Sequence, residues 1–322
     1  MRLLSVVCVT LAAALPHVSN VTHAQDYPNK PLRFIVPFPP GGVDTVGRIV
    51  AQELSLQFGQ PVVVDNRGGA AGTIGAALVA GARPDGYTIL FSNISLAINV
   101  TLFPKLPYDT LKDFAPVAFI GRQPNLLVVH PTVAAKTAKE FVALAKAQPG
   151  KLNYGHGGSN TMLAIELFKL ATGTDITGVP YNGIGPAMIA LLGGQLQMTM
   201  SPIVSSLPHV QSGKMRALGV SDVKRSPLLP ELPTLQEAVA PGYEFFNWYG
   251  VLAPAATPRT AVQVLNKAVA RALDAPNVKK QFAAQGLEGK AASPEEFAAY
   301  LKSEVTKFSG VVKAAGLKPD QL

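Results

Sequence analysis

Short apolar runs closed by Gly, Pro or Asn alternate along this chain with stretches in which apolar positions recur every three to four residues. The runs at 31–38 (PLRFIVPF), 61–64, 87–91, 117–120, 126–129, 176–179 and 215–220 predict strands. Being continuous rather than alternating, they predict burial on both faces of a parallel sheet. Helical periods lie between them: Ile49, Leu54 and Phe58, then Phe141, Leu144 and Ala145, then Val262, Leu265, Val269 and Leu273. Thr137-Ala-Lys-Glu140 has the spacing of a capping box, in which hydroxyl and carboxylate satisfy reciprocal backbone donors at a helix start. Ser293-Pro294-Glu295-Glu296 opens the last helix the same way, with Phe297, Leu301, Val305, Phe308 and Val312 facing inward. The alternation is that of an α/β chain, without low-complexity linkers or repeats of roughly 20 to 50 residues.

Two apolar stretches need a different reading. Residues 3–15 carry no charge, follow Arg2 and precede Thr22-His23-Ala24, a small-x-small pattern. This predicts a signal peptide over 1–24, whose apolar run is too short to span a bilayer comfortably and holds Cys8 inside it rather than at a lipid-attachment position. The mature chain is then exported, soluble and free of cysteine. Residues 176–213 lack Asp, Glu, Lys and Arg but are broken by Pro180, Pro186, Pro202 and Pro208, so buried strands and a packed helix explain them better than a membrane span.

Composition narrows the classes. At 48% hydrophobic and 15% charged residues the chain is globular, and one Cys excludes a disulfide scaffold. Its 322 residues suggest two domains at roughly 100 to 200 residues each. No Pro/Ser-rich joint separates them, so the chain crosses on ordered segments near 122–124 and 245–250. The formal net charge of +8 is scattered, with Lys224-Arg225 and Lys279-Lys280 the longest basic runs, which argues against nucleic acid. His130, His156 and His209 lie far apart and support no metal site. Gly69-Ala-Ala-Gly72-Thr-Ile-Gly75 departs from dinucleotide-binding spacing and no P-loop occurs, so no cofactor is expected.

Two strand-to-helix junctions carry candidate chemistry. At Phe38, Pro39, Pro40, Gly41, Gly42, Val43 and Asp44, a strand ends in an irregular turn. The glycines let peptide N–H groups at the helix start approach a ligand, and the helix dipole favours an anion there. The same residues also fit a tight turn capped by Asp44 or Thr45, and the sequence leaves both readings open. At 154–161 (YGHGGSNT) a second strand gives way to Ser159, Asn160 and Thr161 before a helix over 162–170. His156-Gly157-Gly158-Ser159 raises a serine hydrolase, but the last glycine of G-x-S-x-G is absent and only Asp175 and His209 follow as triad partners. A polar ligand loop or a helix cap fits better. The aromatics Tyr243, Phe245, Phe246, Trp248 and Tyr249 suit a strand packed between domains better than a ligand wall.

The motifs Tyr27-Pro-Asn-Lys-Pro31, Pro37-Phe-Pro-Pro-Gly-Gly42, Asn66-Arg-Gly-Gly-Ala-Ala-Gly72, Arg83-Pro-Asp-Gly-Tyr87, Leu106-Pro-Tyr108, Lys112-Asp-Phe-Ala-Pro-Val117, Pro180-Tyr-Asn-Gly183, Leu191-Leu-Gly-Gly-Gln195, Gly213-Lys-Met-Arg-Ala217, Leu232-Pro-Thr234 and Leu252-Ala-Pro254 closely resemble, in order, the solute-binding receptors of tripartite tricarboxylate transporters, the Bug receptors. The likeness runs from Tyr27 to about Lys318. It implies a two-lobed, type II periplasmic binding protein of α/β lobes, lobe 1 being 25–123 plus 249–322 and lobe 2 being 124–248. A carboxylated solute is then held between the lobes, in the periplasm, and passed to membrane permease subunits by a monomer that is not an enzyme.

The resemblance assigns the two junctions as pincers, and the expected ligand contacts are Phe38, Pro39, Pro40, Gly41, Gly42, Val43, Asp44, Asn93, Gly158, Ser159, Asn160, Thr161, Tyr181 and Ser201. Three departures stand out. The first pincer is one residue short before its Asp, and the second about two residues short, with Met162-Leu163-Ala164 where the family often has a His. Ser201 stands where receptors for acidic amino acids carry an Asp that pairs with the ligand ammonium. The cleft therefore favours a di- or tricarboxylate or an aromatic acid. A secreted hydrolase acting on a carboxylate-bearing substrate is the alternative.

Overall fold

Strand β1 (Leu32–Val36) buries four of its five side chains, all but Arg33, as its apolar run predicts. It lies in a computed structural model that describes residues 27–314 and 316–317; the expected signal peptide falls outside them. The chain continues through α1 (Val43–Phe58), β2 (Val62–Asn66), α2 (Thr73–Ala80), β3 (Thr88–Asn93), α3 (Ser95–Leu102), β4 (Phe114–Val129) and α4 (Ala138–Ala147). It then forms β5 (Asn153–His156), α5 (Ser159–Thr172), β6 (Thr177–Pro180), α6 (Ile184–Leu192), β7 (Met198–Pro202), α7 (Ile203–Gln211), β8 (Arg216–Val220) and α8 (Leu235–Ala238). It closes with β9 (Phe246–Pro254), α9 (Arg259–Asp274), α10 (Pro276–Ala284), β10 (Glu288–Gly289) and α11 (Pro294–Ala314).

The strands run β2-β1-β3-β9-β4-β7-β5-β6, with β8 and β10 also on β4. Pairing is parallel around β1 and β5, but β4 is antiparallel to β9, β7, β8 and β10, so the sheet is mixed rather than wholly parallel. The runs at 117–120 and 126–129 are one strand of 16 residues, β4. The polar and Pro positions between them read as a break, yet β9 pairs with them through Pro124, with register shifts near Ala118 and Gly121 absorbing the irregularity. β6 is an edge strand and mostly exposed, contrary to its apolar appearance.

The fold is two-lobed. β1, β2 and β3 build one lobe with the first part of β4, and β5 to β8 build the other with its last part. Beyond Pro124, β4 leaves β9 for β7 and β8, while Phe245 bonds back to Ser221 immediately before β9 begins. Helix α11 covers this junction. Its Phe297, Leu301, Phe308 and Val312 share one apolar cluster with Trp248 and Phe245, and with Ile35 and Leu127 from the two lobes. Trp248 is fully buried, donates to Glu304 Oε2 at 3.0 Å and meets Phe297 and Tyr300 edge-on. Burial pushes the Glu304 carboxyl above its ordinary range, while Lys307, 3.9 Å away, and the Trp248 bond pull it back.

The caps follow the sequence closely. Ser293 and Glu296 exchange bonds of 3.1 and 2.8 Å at the start of α11. At α4 the Thr137 hydroxyl accepts from Glu140 N at 3.1 Å, but the Glu140 carboxylate takes the Lys136 N–H, one residue earlier than a box requires. No described helix is long and apolar enough to cross a membrane.

Candidate functional site

The turn between β1 and α1 needs its glycine pair, because Gly41 and Gly42 have φ of 102° and 51°. Gly42 takes the N-cap position, and no side chain caps the helix. Asp44 is therefore not the cap its sequence position suggests. It sits in the first turn, 3% exposed, and accepts from Arg48 and from Asn66, each at 2.9 Å. Asn66 also donates to Phe38 O at 2.9 Å, so one amide ties both ends of the turn to β2.

The second junction is built alike. Gly158, φ 146°, is the N-cap of α5 and no side chain caps it. Thr161 Oγ1 accepts from Gly157 N at 2.9 Å and donates to Gly158 O at 3.2 Å, which fixes the loop on itself. Ser159 donates its hydroxyl hydrogen to Asn99 Oδ1 of α3 at 2.7 Å, and Asn99 in turn donates to Ala71 O at 3.0 Å. A nucleophile must give that hydrogen to a base, so this bond runs against a hydrolytic role.

Between the loops lies a cavity of about 30 Å³, room for a water or two, lined by Phe38, Pro39, Pro40, Gly41, Gly42, Val43, Gly157, Asn160, Thr161, Gly183, Ile184, Gly185 and Pro202. A larger chamber of about 350 Å³ adjoins it through Phe38, Pro39, Gly157 and Gly183, and adds Gly69, Ala70, Ala71, Gly72, Gly158, Pro180, Tyr181 and Asn182. None of these side chains is charged. Instead, the first turns of α1, α5 and α6 and the N-cap of α7, Pro202, reach the cavity, and none of the four helices has a side-chain cap. Four helix ends without side-chain caps make an anion-favouring pocket.

Of the expected contacts, Phe38, Pro39, Pro40, Gly41, Gly42, Val43, Gly158, Asn160, Thr161 and Tyr181 line one chamber or the other. Asp44, Asn93, Ser159 and Ser201 do not. Asn93 is buried at the end of β3, where its Oδ1 accepts from Ser95 N at 3.1 Å. Ser201 is fully buried and bonded to Ser206, with Met188 Sδ at 3.8 Å. Sequence reasoning missed the starts of α6 and α7, although Gly183 before Ile184 and Pro202 before Ile203 are helix-start signals. It also missed the 69–72 loop, where Ala70 and Ala71 hold φ of 46° and 54°. The aromatics pack inward: Tyr243, Phe245 and Trp248 join the cluster under α11, Tyr249 joins the core around Phe91, and Arg122 covers Phe246 at 4.3 Å.

With this geometry in hand, comparison with known proteins gives a consistent picture. The family described as tripartite tricarboxylate transporter family receptor matches residues 46–317. Protein BugT of Bordetella pertussis is 37% identical over 322 residues, covering 98% of each chain. Among solved structures, Rpa4515 of R. palustris with adipate has a TM-score of 0.88 at 35% identity, covering 91% of this chain and 99% of that one. The periplasmic binding protein BugD matches at 0.87 and 32%, covering 91% and 99%. MatC from Rhodopseudomonas palustris with bound malate matches at 0.83 and 35%, covering 89% and 100%.

Proposed function

The chain belongs to the family of tripartite tricarboxylate transporter receptors, which are solute-binding receptors, and from that premise we propose that its cleft captures a small organic acid by its carboxylates and hands it to the permease subunits of such a transporter. The observation that carries this reading is the meeting of four helix starts without side-chain caps on a cleft whose walls hold no charged group. Each helix end typically contributes about 0.3 to 1 kcal/mol toward an anion, so four together fall short of the about 8 kcal/mol that micromolar affinity needs. Charge-assisted hydrogen bonds of roughly 1.5 to 3 kcal/mol each, given by N–H groups to an ionised ligand, supply the difference. Relatives of similar architecture hold adipate and malate, and a di- or tricarboxylate or an aromatic acid suits this cleft.

The contacts are the chamber-lining residues, with Asp44, Asn66 and Ser159 shaping the loops from behind. The lobes divide as 25–123 plus 249–322 and 124–248, and the protein works in the periplasm as a monomer, by binding alone. Titration calorimetry with succinate, malate, adipate, citrate and benzoate, each beside its methyl ester, tests this. One or more acids bind and the esters bind far more weakly; equal affinity for acid and ester overturns the mechanism. Saturable ester turnover that disappears in Ser159→Ala overturns the binding-only role.

A further inference from the structure

Three buried carboxamides form a row from the cleft to the strands that join the lobes. Asn160 lines the cavity, and its Nδ2 donates to Asn247 Oδ1 on β9 at 2.9 Å. Asn247 Nδ2 donates to Asn125 Oδ1 on β4, at the point where that strand passes from β9 to β7. Asn160 is 6% exposed and the other two are fully buried. The row has a direction, because both donors point away from the cleft. Its last amide nitrogen, Asn125 Nδ2, is buried with no partner among the described residues. At the other end it is the Asn160 oxygen, not its nitrogen, that lies beside Gly158 of the larger chamber, 3.6 Å from where a methyl group on that glycine would stand.

That direction suits neither end. An oxygen facing a bound carboxylate repels it, and a buried N–H without an acceptor is costlier than an under-used carbonyl oxygen. A carboxamide turned about its last torsion exchanges oxygen and nitrogen with almost no change of shape. Turning one member alone sets like groups against each other, so the three turn together. In the reversed row Asn125 donates to Asn247, Asn247 donates to Asn160, and the Asn160 amide nitrogen faces the cleft.

Resting on the carboxylate reading above, we propose that a ligand carboxylate selects the reversed row, with Asn160 donating to it and Asn247 and Asn125 acting as positioning residues that hold the donor in place. Cleft occupancy is thereby tied to the two joining strands through side chains that no ligand touches.

The test exploits an acceptor-only side chain. In Asn125→Asp the carboxylate can accept from Asn247 but cannot donate, so the row is held in its unreversed direction. Asn125→Leu leaves both directions open and serves as the control. The probes are adipate and adipamide, or the acid from the panel above that binds the wild type more tightly, with its amide. In Asn125→Asp the ratio of acid to amide affinity falls by about ten- to a hundredfold, the loss of one charge-assisted hydrogen bond. In Asn125→Leu both ligands weaken together and the ratio holds. An unchanged ratio in Asn125→Asp, or an equal fall in Asn125→Leu, overturns the proposal. Should the Asp variant not fold, nitrogen-15 spectra of wild-type side-chain amides decide: acid binding slows hydrogen exchange at Asn125 and shifts the Asn160 amide protons downfield, and an unmoved Asn125 amide overturns it. A wild type that binds no acid of the panel brings down the carboxylate reading itself, a failure distinct from either of these.

Discussion

Asn66 shows how much one polar side chain can hold. Its amide spans Phe38 O and the Asp44 carboxylate, so it sets the path of the turn that brings Gly41 and Gly42 to the cleft. Asp44 in turn gains Arg48 on its other side, at 2.9 Å. Asn66→Ala leaves Phe38 O and Asp44 short of one partner each, and the expected cost is about 1 to 3 kcal/mol of stability. Ligand affinity falls as well, although Asn66 reaches no ligand, because the loop's N–H groups lose their fixed aim. Calorimetric melting and a ligand titration on the same variant check both, and a variant that melts like the wild type and binds as tightly removes Asn66 from this role.

At the scale of elements, what the sequence made legible was whatever repeats with a period. The inward face of α11 from Phe297 to Val312 and the buried run of β1 follow from spacing alone. The joining strand did not, because Gly121, Pro124 and Asn125 are residues of turns, and only pairing with β9 and β7 across the sheet makes them a strand. The two glycine-opened loops were visible as turns, but their meeting with the starts of α6 and α7 is a product of tertiary packing that no local pattern encodes. Asp44, Ser159 and Ser201 carry the residue types of a polar site, yet each is turned to a protein partner, a choice made by neighbours distant in sequence.

The contact of α11 with β9 yields a pH dependence. Burial raises the Glu304 carboxyl above its ordinary range, so on acid titration the folded protein takes up this proton before the unfolded chain does. As pH rises from about 4.5 the unfolded chain loses its proton first, and stability falls until the folded carboxyl has also ionised. Glu304→Gln keeps an acceptor for Trp248 and removes the titration. Its melting temperature at neutral pH therefore matches or exceeds that of the wild type, and the decline over this window flattens. A variant with the wild-type slope shows that the decline belongs to another group.

At the scale of the whole molecule, the lobes meet closely at their loops. A methyl group on Gly183 would lie 2.8 Å from Pro39 Cγ, and one on Gly42 would lie 3.3 Å from Ile184 Cγ2, in each case across the cleft. The chamber of about 350 Å³ has room for a dicarboxylate but the cavity of about 30 Å³ where the helix starts meet does not, so the loops part for a ligand to reach those helix starts, and a ligand touching both lobes favours their return. Gly183→Ala puts a methyl group into that contact at a residue whose φ is 95°. It holds the lobes apart, which raises the radius of gyration in small-angle scattering and weakens binding. A scattering profile and affinity equal to the wild type would mean that this contact does not limit closure.

The chain has one tryptophan, and the fold sets it beside Asn247, on the joining strand β9, with its indole N–H on Glu304. The protein is therefore labelled at its joint by its own indole chromophore. Emission excited at the red edge, where tyrosine is silent, comes from this single site. Shielded from water, it lies toward the blue, and its intensity titrates with the neighbouring carboxyl, a dependence that Glu304→Gln abolishes. Any solute that moves the joining strands changes that signal without an added dye, so a raw fluorescence screen of organic acids reads occupancy and hinge motion in one measurement.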